Sequence, residues 1–454
     1  MKYPRYPAYK DSGVEWIGEI PEHWTVMKVK HTSYVKGRVG WKGLTTEEYL
    51  ENGYAYLVTG QDFQSKTIFW DSCYCVDKRR YDDDRYIQLK NGDLLITKDG
   101  TIGKLAIVDG LEKPACLNSG IFLVRPYDYY KTDFLYYVLS STVFSNFYFL
   151  RSFGSTIQHL YQNVFEDFSF PIPPIEDQAK IENFLDGVSK KIGKLIKDIM
   201  KNVELLKEKR QAIINNAVTK GLDPNVPMKD SGIEWIGKIP EHWEVIKLKS
   251  ASIFNPPKSE IKGYSGETLV SFFPMESIGD DGKLEHLYFR PISEVINGYT
   301  YFKNGDVVVA KITPCFENGK GAIMEGMKSE LGFGTTELIV IRPSPILTKS
   351  FLYLLTITGL FRNLGEGAMQ GAAGQKRVPE KFVSNFKLGL PPLDEQIQIS
   401  NYVNVITHKI DDLTSKQQKM IEFLNEYKTS LITHTVTGKI DVRSFAVPTN
   451  SISA

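Results

Sequence analysis

Two turns carry residue types from which a chemical site could be built. Gly100-Thr101-Ile102-Gly103-Lys104 has the glycines and the lysine of a phosphate-cradling loop. It is too short for one, and Leu105 stands where such a loop needs a Ser or Thr hydroxyl. Asn255-Pro256-Pro257-Lys258 is close to the Asn-Pro-Pro-aromatic loop of amino-methyltransferases. Lys258 replaces the aromatic that would stack on a flipped base, and no glycine-rich cofactor loop precedes it on a strand, so we read it as a turn. His23 and His242 belong to a repeated scaffold motif, and none of the seven histidines pairs with another at metal-ligand spacing. Cys73 and Cys75 flank Tyr74, while Cys116 and Cys315 stand alone, which fits reduced thiols better than a zinc site or a disulfide framework. These residues point to a chain that catalyses nothing.

The elements that carry them come in two copies. Asp11–Trp24 (DSGVEWIGEIPEHW) returns as Asp230–Trp243 (DSGIEWIGKIPEHW), differing only at Val14/Ile233 and Glu19/Lys238. Pro173-Pro174-Ile175-Glu176-Asp177-Gln178 is answered by Pro391-Pro392-Leu393-Asp394-Glu395-Gln396. Between them lie Asn91-Gly92-Asp93 with Asn304-Gly305-Asp306, and Arg125-Pro126 with Arg342-Pro343. Other stretches diverge: Lys36–Gly43 does not match Asn255–Lys262, nor Ser155–Asn163 Ala372–Glu380. One scaffold thus presents two different surfaces, as a two-headed recognition protein would.

Within the first copy, Trp16, Ile17, Ile20 and Trp24 should anchor the motif on a core. Strands are expected over Tyr54–Thr59, Asp93–Thr97, Lys104–Val108 and Ile121–Val124, and a helix over Phe134–Phe149. From about Glu176 to Thr219 the pattern turns helical for roughly 44 residues, about 65 Å at 1.5 Å per residue. Ile181, Leu185, Val188, Ile192, Leu195, Ile199, Leu206 and Ile213 form a heptad seam with Asn202 in its middle. A second helix, from about Asp394 to Thr437, carries Ile399, Val403, Ile406, Ile410, Leu413, Gln417, Met420, Leu424, Tyr427 and Leu431. Asn202 and Gln417 either fix register or are polar residues tolerated at a solvated edge. Helices of equal length in one chain most simply pair, and the repeat favours an antiparallel coiled coil.

Net charge is +1, which argues against strong nucleic-acid binding by charge alone. Local excesses of Lys and Arg occur at Lys28–Lys42, Lys98–Lys104, Lys247–Lys249 and Gln375–Arg377, any of which could be a solvated face. With no run of 18 apolar residues and no apolar leader, a cytoplasmic protein without membrane contact is expected.

The twin motifs, the twin Pro-Pro helix starts, and the echo of Ala217-Val218-Thr219-Lys220-Gly221 in Thr435-Val436-Thr437-Gly438-Lys439 together resemble the specificity subunits of type I restriction-modification enzymes. The resemblance covers essentially the whole chain. It implies an α+β fold: two pseudo-repeated, mixed α/β target recognition domains joined by two long helices. Its boundaries would be a first recognition domain over 1–172, a helix over 173–222, a second recognition domain over 223–389, a helix over 390–441 and a polar tail over 442–454. Each domain would read one half of an asymmetric, interrupted double-stranded DNA site, and the paired helices would set the spacer and dock two methyltransferase subunits. The chain itself would bind no cofactor and no metal. Partner subunits would use S-adenosylmethionine, ATP and Mg, the ATP in restriction/translocase subunits.

DNA readers should lie where the copies diverge and side chains can donate to base edges. In the first domain these are Arg38, Trp41, Lys42, Lys98, Thr101, Thr156, Gln158 and His159. In the second they are Lys258, Lys262, Lys311, Thr313, Gln375, Lys376 and Arg377. Lys98 and Lys311 follow matching strands and are expected on the backbone rather than on bases. The rival readings are a stand-alone methyltransferase or fused restriction enzyme, which would bind S-adenosylmethionine, and a coiled-coil scaffold, which would ignore DNA.

Overall fold

The Asp-Ser-Gly turn that opens each repeat closes by side-chain chemistry. Asp11 Oδ1 accepts from the Gly13 amide at 2.9 Å, and Asp230 repeats the bond to Gly232 at 2.9 Å. Both glycines sit at φ +68°, where a side chain would be strained. Trp24 and Trp243, which end the repeats, are both fully buried. The computed structural model describes residues 3–38, 44–152, 159–285, 288–372 and 374–445.

The fold is α+β, and the chain divides into two compact units: residues 1–199 with 418–454, and residues 200–417. The same antiparallel sheet lies at the centre of each. In the first unit its order is Leu105–Ile107, Leu94–Thr97, Ile121–Pro126, Ser33–Gly37; in the second it is Gly321–Ile323, Val307–Ala310, Leu338–Pro343, Ser252–Phe254. Successive strand side chains point to opposite faces. Leu94 and Ile96 accordingly enter a core shared with the helices, and Leu95 enters one shared with a second, smaller sheet. Val307 and Val309, against Val308 and Ala310, divide in the same way. The second sheet, three strands in the first unit and four in the second, pairs Ala55–Val58 parallel to Ala115–Leu117, and Leu269–Phe273 parallel to Leu331–Gly334. The second unit adds Thr300–Lys303 at its edge.

The repeated Asn-Gly-Asp and Arg-Pro pairs are two halves of one contact. Arg125 grips Asp93 with Nε and Nη2, both at 2.7 Å, and Arg342 grips Asp306 at 2.6 and 2.8 Å. The Gln of each helix start has a matching role. Gln178 Nε2 donates to the Tyr129 and Pro173 carbonyls while its Oε1 accepts from the Lys131 amide. Gln396 does the same with Ile346, Pro391 and Thr348. Both glutamines are fully buried, so each satisfies backbone groups that would otherwise cost about 1–3 kcal/mol apiece.

The long helices run over Ile175–Lys220 and Leu393–Val436, 46 and 44 residues, and each contributes to both units. In the first unit Ile181 and Leu185 share a core with Leu431, Ile432 and Val436. In the second, Ile214, Ala217 and Val218 share one with Ile399 and Val403, and Arg210 Nε donates to Asp411 at 3.0 Å. The start of one helix meets the end of the other both times, so the pairing is antiparallel. The heptad seam needs correction. Leu195, Leu413, Met420 and Tyr427 are 43–49% exposed, and Asn202 is exposed. Ile196, Val203, Thr414 and Ile421 turn inward instead. From Ile181 to Ala217 the inward residues take ten steps over 36 residues, the period of an ordinary helix rather than 3.5. Gln417 remains half-buried, its Oε1 without a hydrogen bond.

Expected strands fall where Ala55–Val58, Leu94–Thr97, Leu105–Ile107 and Ile121–Pro126 lie. The helix expected over Phe134–Phe149 is two, Thr132–Leu139 and Thr142–Ser152. Ser140 Oγ and Ser141 Oγ donate back to Tyr136 and Val138, and Ser141 Oγ then accepts from the Val143 amide. Serine hydroxyls that compete for backbone groups end one helix and start the next. Ile17 and Ile20 are buried as expected, and Trp16 packs on Phe147 at 5.4 Å. Its repeat partner Trp235 is 45% exposed.

Candidate nucleic-acid interface

In the second unit, five of the seven expected readers converge beyond the end of Val307–Ala310. The Thr313 amide donates to the Lys376 carbonyl at 3.0 Å, and the Val378 amide to the Lys311 carbonyl at 2.8 Å. Arg377 also exchanges both backbone bonds with Gln370, at 2.8 and 3.0 Å, so Gln375 and Lys376 ride on the turn of a short hairpin. Arg377 is thereby fixed on both sides of its backbone. Its side chain is held as well: Nε donates to Glu337 Oε2 at 2.9 Å and Nη2 to Oε1 at 2.8 Å, while Nη1 reaches the Gln375 carbonyl at 3.2 Å. Hydrogen bonding to Arg377 holds the Glu337 carboxyl below its usual range and raises the guanidinium. Thr313 Oγ1 is turned back to the Lys376 carbonyl at 3.2 Å.

Lys258 and Lys262 do not join this cluster. Lys258 Nζ donates to the Ile296 carbonyl at 2.5 Å, and Lys262 is exposed just past the short turn Lys258–Ile261. The Asn-Pro-Pro segment before them is a structural turn. Asn255, at φ +43°, accepts from the Val340 amide at 3.0 Å and donates to Glu380 at 2.6 Å.

The first unit repeats the backbone plan with other side chains. The Lys98 amide donates to the Gly120 carbonyl and its carbonyl accepts from Leu160, as Lys311 does with Glu337 and Val378. His159 therefore stands where Arg377 stands, and its Nδ1 contacts the Asp99 carboxylate. Lys98 Nζ lies 5.2 Å over the Phe122 ring. Thr101 is exposed in a turn tied by Thr97 Oγ1, which donates to the Thr101 carbonyl at 2.5 Å and accepts from the Lys104 amide at 2.9 Å. This turn holds no phosphate loop. It borders a cleft of about 480 Å³ whose lining includes Gln61, Asp99, Thr101, Lys104 and Asn118.

Arg38 is elsewhere. It is only 3% exposed; its Nε donates to the Leu117 carbonyl at 2.9 Å and Nη2 reaches Cys116 Sγ at 3.5 Å. It holds strands together and cannot reach a base edge from there. Burial pushes the Cys116 thiol up to about 11 despite the guanidinium beside it. Trp41, Lys42, Thr156 and Gln158 lie outside the described residues.

Asp99 and Glu337, the acids that hold His159 and Arg377, do not stand out in the sequence because neither is a cationic donor. Both occur where the copies differ: Asp99 faces Ile312, and Glu337 faces Gly120. Gln61 and Asn118 of the cleft escaped for want of a basic neighbour. Among the described residues all four cysteines are free, no cluster of three His, Cys, Asp or Glu could hold a metal ion, and no helix is long and apolar enough to cross a membrane.

The model of the type I restriction modification DNA specificity domain matches twice, at residues 22–205 and 240–427. The specificity subunit of the Escherichia coli type I restriction enzyme EcoAI is 42% identical over 164 residues, 36% of this chain and 27% of that protein. The EcoEI specificity subunit is 39% identical over 179 residues, and this chain spans 30% of its length. The MjaVIII specificity subunit of Methanocaldococcus jannaschii is 26% identical over 434 residues, 94% of this chain and 95% of that one. A chain from a solved type I R-M system superposes with a TM-score of 0.65 at 17% identity, covering 92% of this chain and 98% of its own. The HsdS subunit of Thermoanaerobacter tengcongensis gives 0.51 at 15% identity, over 93% and 98%. At such identities the structural likeness speaks for the fold.

Proposed function

The chain belongs to the type I restriction modification DNA specificity family, and on that premise we propose that it is the non-catalytic DNA-reading subunit of a type I restriction-modification system. Each recognition domain, taken as residues 1–172 and 223–389, reads one half of a bipartite double-stranded site. The observation that carries this reading is the double family match over one repeated scaffold whose exposed segments diverge. Base contacts fall to Thr101 and His159 in the first domain and to Thr313, Gln375, Lys376 and Arg377 in the second, with Lys98 and Lys311 on phosphate. The helices, residues 173–222 and 390–441, set the separation of the half-sites and dock two methyltransferase subunits. S-adenosylmethionine belongs to those subunits, and ATP with Mg to restriction subunits that join them in the cytoplasm.

Mapping of methylated sites tests the division of labour. Exchanging residues 30–170 for those of another family member changes one half of the site and leaves the spacer alone. Inserting seven residues into both helices, after Lys201 and after Lys419, adds about 10 Å and lengthens the preferred spacer by roughly three base pairs, with both halves unchanged. If the exchange alters both halves, the two-reader assignment fails. If the insertion leaves the spacer untouched at full activity, the helices are not the ruler.

A further inference from the structure

We propose that Glu337 is a positioning residue for DNA reading: it presents Arg377 edge-on to one guanine and so fixes one base pair of the second half-site. This inference rests on the DNA-reading function proposed above. A guanidinium has five N–H donors in a rigid fork. Glu337 takes the Nε–H and one Nη2–H, and the Gln375 carbonyl takes one Nη1–H. One donor on Nη1 and one on Nη2 remain without a partner among the described residues. Two adjacent donors of this kind match the O6 and N7 acceptors that guanine alone presents in the major groove.

The support beneath the side chain is unusually complete. Arg377 is bonded through its backbone to Gln370, and its neighbours Lys376 and Val378 to Thr313 and Lys311. Glu337 is tied to the same ladder, its carbonyl accepting from the Lys311 amide at 2.8 Å. Both partners of the pair therefore hang from one strand end, and neither needs to be ordered when DNA arrives. An arginine whose rotamer is already fixed loses less entropy on binding, which favours selectivity. His159 with Asp99 occupies the corresponding place in the first unit, but there the acid follows Lys98 directly. The two units thus offer different donors, held by acids from different positions, at one point of a shared scaffold.

The test measures binding of the full-length chain, with its partner subunits, to a matched duplex and to every single base-pair substitution of it. Arg377→Ala weakens the matched site roughly five- to 150-fold and stops discriminating at one base pair. Glu337→Ala and Glu337→Gln relax that same base pair by a smaller factor, with thermal melting unchanged, and adding either to Arg377→Ala changes nothing further. Equal strengthening of all duplexes by both Glu337 variants would show an acid that merely repels phosphate and would overturn the inference. So would loss of discrimination at a different base pair, or no change. If Arg377→Ala itself leaves every duplex bound as before, the interface proposed for the second unit is wrong, irrespective of Glu337.

Discussion

The two units share the side chains that tie down each helix start and each central sheet, and differ in the cation and acid held just past the strand end. Gln178 and Gln396 make the same three bonds, and Asp93–Arg125 and Asp306–Arg342 the same bidentate grip. One strand-turn later, His159 with Asp99 faces Arg377 with Glu337. A scaffold can in this way be duplicated and then retargeted. At the helix starts the backbone groups keep the same glutamine partner in both copies, because an unsatisfied buried group is costly. The exposed cation and its acid can be exchanged without touching that ladder.

Removing the buried acid from each unit should give the largest effect. Asp93 and Asp306 side chains are both 2% exposed. Loss of one partner from a buried pair costs about 3–5 kcal/mol where the other charge is stranded. The units should respond unequally. Arg342 keeps a second acid, since its Nη1 lies 2.8 Å from both oxygens of Glu260, whereas Arg125, 35% exposed and 5.9 Å over the Tyr34 ring, has no second acid among the described residues. We expect Asp93→Ala to destabilise its unit by about 3 kcal/mol, the low end of that range, and Asp306→Ala by roughly half as much. Hydrogen exchange read separately on each unit measures both. Equal losses would mean that Glu260 contributes nothing.

Arg38 gives a smaller, one-sided effect. Its aligned position in the second unit is Pro257, so no counterpart exists there. Arg38→Ala strands the Leu117 carbonyl and opens a gap beside Cys116, at a cost of about 1–3 kcal/mol confined to the first unit. Binding then weakens alike for every duplex, in step with the folded fraction. Relaxation of a single base pair at unchanged stability would restore Arg38 as a reader.

How far the sequence could be read follows from the same division. Paired motifs such as Asn-Gly-Asp with Arg-Pro were visible as repeats, but nothing local says that Asp93 bonds Arg125, 32 residues away. Helix length was legible because proline and glycine punctuate it. The seam was not: at Leu195 and Met420 two apolar residues stand side by side, and a strict heptad count lands on the outer one while Ile196 and Ile421 turn inward. Arg38 had the residue type of a base reader, and only the burial of strand Ser33–Gly37 beside it reveals a structural one. Glu337 was hidden because an acid does not itself contact DNA, and it lies 40 residues from the arginine it holds.

The smallest effect comes from a titratable group present in one unit only. Glu182, on the first long helix, is buried with Oε1 lacking any hydrogen bond, and burial pushes its carboxyl up to about 7. Lys131 Nζ, 4.0 Å from Oε2, pulls the other way without cancelling that shift. The corresponding residue of the second helix is Ser400, whose hydroxyl is satisfied by the Gln396 carbonyl at 2.8 Å. In the unfolded chain a glutamate titrates near 4.3. Between there and about 7 the folded state holds a proton that the unfolded state has released, so rising pH favours unfolding across that window. Above it the penalty is fully developed. Glu182→Gln removes the ionisation while keeping size and hydrogen-bonding capacity. The variant should therefore melt above the parent at pH 8, by a margin that shrinks as the pH falls through that window, and together with it at pH 4. Ser400→Ala, in the unit without the acid, should show a loss that does not vary with pH. A gain for Glu182→Gln that is the same at both pH values would assign the effect to packing, and the two units would then differ here in shape alone.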